Sequence, residues 1–205
     1  MCWKSFLQKQ EAKGEEDFFF RWLAVELAPT IYGEKPGTLL NFMNTSKLRM
    51  KTLWFEYGCS VLSNSNIEWI ILKDDPGSMK ILFYRKDLLN ISLHDKNIRQ
   101  FLAGLGYHAG MNLQEMLLYF KERFQFMCPH EMGIFLGIPL KDVLGFMGMS
   151  EECRTCQGMW QIYGDPVSSL DIMQRMEATK RQVVDWMMAG HAGADVLCGT
   201  FLKIA

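Results

Sequence analysis

Apolar residues recur every three or four positions along most of the chain, and this spacing predicts amphipathic helices. Capping side chains and prolines mark where the helices begin, and glycine or proline marks where they end. At Asn112 and Glu115 the three-residue spacing is that of a capping box. The predicted helices lie at about 18–28, 35–42, 44–57, 95–105, 112–124 and 165–190, with a two-helix corner over 129–148.

One segment has the composition of β-strands. β-Branched and aromatic residues are frequent in 67–72 and 79–84, and Asp74-Asp75-Pro76-Gly77 between them is a typical turn sequence. The pattern predicts an antiparallel hairpin over about 67–84. Shorter runs of the same kind suggest additional strands near 59–63 and 160–163.

These elements place the chain in the α+β class, as a mostly helical single domain with a small antiparallel sheet. Its 205 residues, 49% of them hydrophobic, are enough to bury one substantial core. Neither a repeat nor a linker divides the sequence, so the domain is expected to span 1–205. The first 16 residues are polar and are expected to be frayed.

Charge and composition restrict the partners. The chain carries 22 basic and 23 acidic residues, so no overall electrostatic field attracts it to nucleic acid or anionic lipid. Its start turns polar too early for a secretory signal, and no apolar run approaches the roughly 20 residues of a membrane-spanning helix. The six cysteines are too sparse for a disulfide scaffold. We therefore expect a cytoplasmic protein with no membrane partner and with reduced cysteines.

Pro129, His130 and Glu131 form the segment that says most about function. Proline suits the first position of a helix, which places His130 and Glu131 in the first turn beside unpaired backbone N–H groups. A cleft at this turn would let His130 ligate a molecule or transfer a proton, with Glu131 as its electrostatic partner. The two residues are equally suited to capping the helix, because adjacent helical side chains point about 100° apart. Phosphate-loop, nucleophile-elbow and zincin patterns are absent from the sequence. Whether the protein is an enzyme therefore stays open. His130 and Glu131 are the candidates for catalytic residues.

Cys128 and His130, together with Cys153 and Cys156, supply four side chains of the types that zinc or iron prefers. A metal site built from these four is one hypothesis. A single Cys-x-x-Cys pair is a weak signal, because two pairs at finger spacing are the pattern that indicates zinc. Reduced structural cysteines are the competing interpretation.

The corner over 129–148 has the spacing of a bacterial helix-turn-helix, with Gly137 at the turn between two apolar segments. Sequence-specific DNA binding needs polar or basic side chains along the outer face of the second helix. That helix offers Lys141 alone among basic residues. The spacing therefore favours an ordinary αα corner of the fold. As a functional site, the corner would be an interaction or regulatory module that packs on a protein partner, and DNA binding is disfavoured.

The motifs Pro129-His130-Glu131 and Leu136-Gly137 resemble those of an uncharacterised bacterial family, a domain of unknown function with Pro-His-Glu and Leu-Gly-Tyr motifs. The resemblance covers most of residues 20–175, and Ile138 stands where the family has the tyrosine. Further segments that look like the family's landmarks are Ala28-Pro29-Thr30, Lys35-Pro36, Phe83-Tyr84-Arg85, Gly106-Tyr107 and Gly158 through Gly164.

The resemblance implies no assigned activity, but it points to Lys35, Arg85 and Trp160 as walls of a ligand pocket. It also associates the family with flavodoxin and iron-uptake neighbours. The expected function is therefore that of a ligand- or metal-binding protein, with a pocket around 129–131 and a link to iron or redox physiology. The interaction module at the corner is the alternative.

Overall fold

Helices pack on both faces of a small antiparallel sheet in the computed structural model, which describes residues 14–46 and 48–199. The helices are α1 (Glu15–Ile31), α2 (Met50–Leu53), α3 (Cys59–Leu62), α4 (Lys86–Leu93), α5 (Lys96–Gly104), α6 (Leu113–Phe126), α7 (Met132–Phe135), α8 (Leu140–Phe146), α9 (Val167–Met188) and α10 (Gly193–Leu197), and a π-helical turn (Trp54–Gly58) joins α2 to α3. The strands are β1 (Gly37–Met43), β2 (Glu68–Asp75), β3 (Ser78–Tyr84), β4 (Arg154–Gln157) and β5 (Gln161–Tyr163).

β3 is the middle strand of the sheet. It pairs antiparallel with β2 across the predicted hairpin and with β1 on its other edge, which gives the order β1-β3-β2. Tyr84 lies opposite both Gly37 and Glu68, and the register shifts once, at a bulge between Ile71 and Lys73. β4 and β5 form a separate antiparallel pair.

Side chains of β3 alternate between two hydrophobic cores, as expected for a sheet that is covered on both faces. Met79, Ile81 and Phe83 belong to the first core, which packs the sheet against α1, the π-helical turn, α9 and α10. Leu82 and Tyr84 belong to the second core, which is formed with α4, α5, α6 and the corner. Removal of this apolar surface from water is the main driving force that holds the helices on the sheet.

Two of the predicted elements are wrong. Residues 35–42, predicted as a helix, contain all of β1 except its last residue, because pairing with β3 outweighs the local helix-start signal of Lys35-Pro36-Gly37. Residues 59–63, suggested as a strand, contain α3, because the helical path from α2 continues through the π-helical turn. The sequence patterns predict neither α4, α10 nor β4, and the helix predicted from residue 44 begins only at Met50.

The α+β class, the hairpin, the capping box at Asn112 and a strand within 160–163 are confirmed. That residues 1–205 form a single domain stays a prediction. Residues 1–16 were predicted to be frayed. Residues 1–13 lie outside the described residues, and α1 begins at Glu15. No helix within the described ranges combines the length and the apolar character needed to cross a membrane.

The corner packs closely against the segment that joins α1 to β1. At Gly37 an added Cβ would lie 2.6 Å from the Phe135 carbonyl oxygen and 3.2 Å from that of Phe83. At Gly137, whose φ of 79° favours glycine, an added Cβ would lie 2.5 Å from Pro36 Cδ. Neither position leaves room for a larger side chain, so the two glycines allow the corner to lie directly on this segment.

Gly37→Ala is expected to lower the free energy of unfolding by about 2 kcal/mol, because the added methyl group overpacks the contact between β1 and α7. The matched control is Gly77→Ala in the β2–β3 turn, where φ is not positive and an added Cβ meets no atom within 4 Å. Its effect should stay within about 0.5 kcal/mol. Urea denaturation followed by circular dichroism measures both values, and equal stability of the two variants would contradict a tight contact at Gly37.

Candidate functional site

A cavity of about 480 Å³ opens beside the turn that leads into α7. Its apolar wall consists of Pro129, Met132, Gly133, Ile138, Val143, Phe146 and Trp160. Its polar lining consists of Cys128, His130, Asp142, Gln157 and Gln161. Small-molecule sites typically have volumes of roughly 300–1,000 Å³. Because the lining comes from the corner and from the β4–β5 region, the packing of these two parts decides the shape of the cavity.

The structure separates His130 from Glu131. Both lie in the turn before α7, where the Met132 amide donates to the Pro129 carbonyl at 3.0 Å. His130 is exposed at the cavity, and its ring centroid lies 5.3 Å from that of Phe146. Glu131 is 1% exposed and does not line the cavity. The imidazole and the carboxylate therefore have different surroundings and do not face one ligand atom together.

Glu131 links the corner to α6. Its carboxylate pairs with the Arg123 guanidinium and accepts a hydrogen bond from the Tyr107 hydroxyl at 3.2 Å. Burial, and then the negative charge of Glu131, raise the pKa of Tyr107, so this hydroxyl stays protonated and continues to donate. The hydrogen bond to Glu131 raises the pKa of Arg123. Glu131 therefore fixes the position of the corner and does not present its charge to a ligand in the cavity.

Asp142 is the second buried carboxylate of the corner, and it was not among the predicted site residues. It lies in α8 and is 1% exposed. Four groups donate hydrogen bonds to it: the Lys141 ammonium at 2.7 Å, the Trp160 Nε1–H at 2.8 Å, the Tyr163 amide at 2.9 Å and the Ser169 hydroxyl at 2.5 Å. One side chain thus connects α8, the β4–β5 pair and α9.

These donors keep Asp142 ionised. Burial by itself raises the pKa of this carboxyl group, but the hydrogen bonds that it accepts outweigh burial and leave the pKa below its ordinary value. Lys141 also donates to the Tyr163 carbonyl at 2.8 Å, which strengthens the link between α8 and β5. The carboxylate is therefore saturated with donors, and it holds the Trp160 indole in place as a wall of the cavity.

The three residues that the resemblance suggested as pocket walls lie in different places. Trp160 lines the cavity beside His130, and it also lines a second cavity of about 280 Å³ together with Lys35. Arg85 lines neither of these two cavities. Its guanidinium pairs with Asp87 and donates to the Ile31 carbonyl at 3.4 Å, at the end of α1. The structure thus brings Trp160 to His130 and leaves Arg85 apart.

The four residues of the metal hypothesis do not assemble into a site. Within residues 14–46 and 48–199, no three histidine, cysteine, aspartate or glutamate side chains lie close enough to hold a metal ion. Cys128 and His130 line the cavity, whereas Cys153 and Cys156 are free thiols at β4. Burial raises the pKa of Cys128, which disfavours the thiolate that a metal needs. The geometry gives the zinc or iron hypothesis no support.

A signal for Asp142 was present in the sequence. Asp142 stands between Lys141 and Val143, within a segment whose other residues are mostly apolar. A carboxylate at an inward-facing position indicates a buried group that must find hydrogen-bond donors. The identity of those donors was not predictable, because Trp160 and Ser169 lie 18 and 27 residues further along the chain.

Asp142→Asn is expected to lower the free energy of unfolding by about 3 kcal/mol near pH 7, because the amide turns a donor toward groups that themselves donate. The matched control is Asp87→Asn, which removes a carboxylate that forms a surface pair with Arg85. It should lower the free energy of unfolding by less than about 1 kcal/mol. Urea unfolding of both variants measures the difference.

The pH dependence of the same measurement provides a second check. Because the pKa of Asp142 is lowered in the folded protein, its stabilising effect is present above the ordinary carboxyl pKa and is lost as the pH falls through the folded-state pKa. The difference in free energy of unfolding between wild type and Asp142→Asn should therefore become smaller below about pH 4. A difference that is constant with pH, or equal effects of the Asp142 and Asp87 variants, would contradict the role of Asp142.

Similarity to known proteins identifies a family. No curated protein and no solved structure matches the chain significantly. A family described as "Protein of unknown function (DUF3793)" matches residues 23–197, well over half of the sequence. The matched span includes the corner, the linings of both cavities and all four donors to Asp142. The chain therefore belongs to this family of proteins of unknown function.

Proposed function

We propose that this protein binds a small, largely apolar ligand in the cavity beside His130, in the bacterial cytoplasm. The observation that carries the proposal is the cavity itself. It has a volume of about 480 Å³, and its apolar wall includes the aromatic rings of Phe146 and Trp160, with one imidazole among its polar groups. An apolar wall with few polar groups is typical of sites for small organic molecules.

The lining favours a ring-shaped ligand that carries one or two hydrogen-bonding groups. The indole N–H of Trp160 is bonded to Asp142, so Trp160 contributes apolar contact and no further hydrogen bond. Apolar contact stabilises a bound ligand by about 25 cal/mol for each Å² removed from water. Polar recognition falls to His130, Gln157 and Gln161, whose side chains offer both donors and acceptors.

The proposal concerns binding and not catalysis. Glu131, the second candidate for acid/base work, is bonded to Arg123 and Tyr107 away from the cavity. Asp142 lines the cavity, but its carboxylate already accepts four hydrogen bonds. Neither carboxylate is free to exchange a proton with a bound molecule, and neither zinc nor iron is part of the proposal.

Free cysteines support a reducing compartment. Among the described residues, five cysteines are free thiols: Cys59, Cys128, Cys153, Cys156 and Cys198. Disulfides form in oxidising compartments and are rare in the cytosol, so free thiols are what a cytoplasmic protein carries. The bacterial origin rests on the family resemblance alone.

Binding of N-phenyl-1-naphthylamine, a neutral apolar probe whose fluorescence rises on burial, tests the proposal. Phe146→Ala removes part of the wall and is expected to weaken the affinity for the probe about five- to tenfold, through the loss of roughly 1–1.4 kcal/mol of apolar contact. The matched control is Phe126→Ala, because Phe126 is 91% exposed and lies outside the lining. A fluorescence titration that shows no saturable binding to wild type, or an equal loss in both variants, would contradict the proposal.

A protein-interaction module is the second candidate, and apolar side chains exposed at the corner favour it. Phe126 and Met127 precede the turn at the cavity and are largely exposed, as are Phe146 and Met149 at the end of the corner. Exposed apolar side chains of this kind are available for contact with a partner. DNA is a weaker option still, because the Lys141 ammonium is bonded to Asp142.

Phe126→Ser separates the two candidates. If the corner binds a protein, this variant should lose a stable complex that wild type forms in cells, because a hydroxyl replaces an exposed ring. Its affinity for N-phenyl-1-naphthylamine should stay unchanged, since Phe126 does not line the cavity. Recovery of the same complex with Phe126→Ser would contradict the interaction surface.

A further inference from the structure

The second cavity, of about 280 Å³, carries charged groups that the apolar ligand site does not use. Its polar lining residues are Glu26, Lys35, Thr38 and Lys180. Ile138 and Trp160 line both this cavity and the apolar one. We propose that this cavity is an anion site, in which the ammonium group of Lys35 binds the carboxylate or phosphate group of a small ligand. The inference goes beyond the apolar site and does not depend on it.

The charges that line this cavity leave one ammonium group without a counter-ion. Glu26 Oε2 and Lys180 Nζ lie 2.7 Å apart, and their side chains are 17% and 18% exposed, so these two charges form a pair. Lys35 is half-buried, and its ammonium group makes no hydrogen bond or ion pair with the residues that the structure describes. One positive charge therefore remains to be neutralised, and an oxyanion is the group that does so most directly.

Two residues close to Lys35 in the chain have partners other than Lys35. Glu34, the preceding residue, forms an ion pair with Arg175, in which Glu34 Oε2 lies 3.3 Å from the guanidinium and accepts no hydrogen bond from the described residues. The Thr38 hydroxyl lies 2.7 Å from that of Thr30, which holds it at the cavity wall. A hydroxyl can donate one hydrogen bond and accept others, so Thr38 retains the capacity to contact a bound anion beside Lys35.

The titration of Lys35 agrees with a desolvated ammonium group that lacks a partner. Burial first, and then the positive charge of Lys180, lower the pKa of Lys35 from 10.5 to about 8, against an opposing effect of Glu26. Near pH 7 such a group is still mostly protonated, so it offers a positive charge and N–H donors rather than a nucleophilic amine. A bound anion favours the protonated form, so the presence of the anion should make Lys35 less reactive as an amine.

Inorganic phosphate and acetate are the probes, and the reactivity of the Lys35 amine is the readout. Trace acetylation of the whole protein with acetic anhydride near pH 8, followed by mass spectrometry of its peptides, measures the reactivity of each lysine. At about 10 mM, at least one of the two anions should slow acetylation of Lys35 about fivefold or more, because it holds the amine protonated and covers it. Lys86, whose side chain is 70% exposed, is the internal reference and should not change.

Variants link the effect to the ammonium group. Lys35→Met keeps the apolar length of the side chain and should abolish the binding of the protecting anion measured by calorimetry, whereas Lys86→Met should retain it. Protection by phosphate, by acetate or by both supports the site and identifies the group that it prefers. Unchanged acetylation of Lys35 with both anions, or wild-type anion affinity in Lys35→Met, would overturn the proposal. Because N-phenyl-1-naphthylamine is neutral and Lys35 lies outside its cavity, failure here leaves the test of the apolar site unaffected.

Discussion

The candidate site depends on a buried carboxylate, that of Asp142. Its donors come from α8, from the β4–β5 region and from α9, so the relative position of these three parts depends on one side chain. Burial of a charge is costly unless donors replace the water that it loses, and four donors do so here. One of them is the Trp160 indole, which forms a wall of both cavities. The shapes of the two candidate binding sites therefore depend on the same hydrogen bonds.

Glu131 and Asp142 give the corner two buried acidic groups with the same physical role. Glu131 bonds to Arg123 and Tyr107 on the side of the second core, and Asp142 bonds to the β4–β5 pair and α9. His130 stays exposed at the cavity. The two adjacent residues that suggest an acid/base pair in the sequence thus have different roles in the structure: the Glu131 carboxylate is structural, and the His130 imidazole is exposed. In the proposed binding function, ligand contact at the corner falls to the imidazole and to the apolar wall around it.

Local signals predicted the parts of the fold whose partners are close in sequence. The hairpin and the capping box at Asn112 are formed by neighbouring residues, and the sequence patterns were sufficient for both. β1 was not predicted, because its partner β3 comes after the whole segment from α2 to β2. The same limit applies to the site. The turn at His130 follows from a local proline, whereas the environments of Asp142 and Lys35 are made by residues distant in sequence, Ser169 and Lys180 among them. Hydrogen bonds and charges between distant segments leave no periodic pattern.

The exchange rate of the Trp160 indole N–H tests the role of Asp142 most directly. The chain has six tryptophans, and Trp160→Phe assigns the signal in a proton–nitrogen correlation spectrum. A hydrogen bond to a buried carboxylate protects the N–H from exchange with solvent, so this proton should exchange slowly in wild type and at least about tenfold faster in Asp142→Asn. Asp87→Asn should leave the rate unchanged, because Asp87 pairs with Arg85 at the surface. Fast exchange in wild type, or a rate that Asp142→Asn does not change, would contradict the role assigned to Asp142.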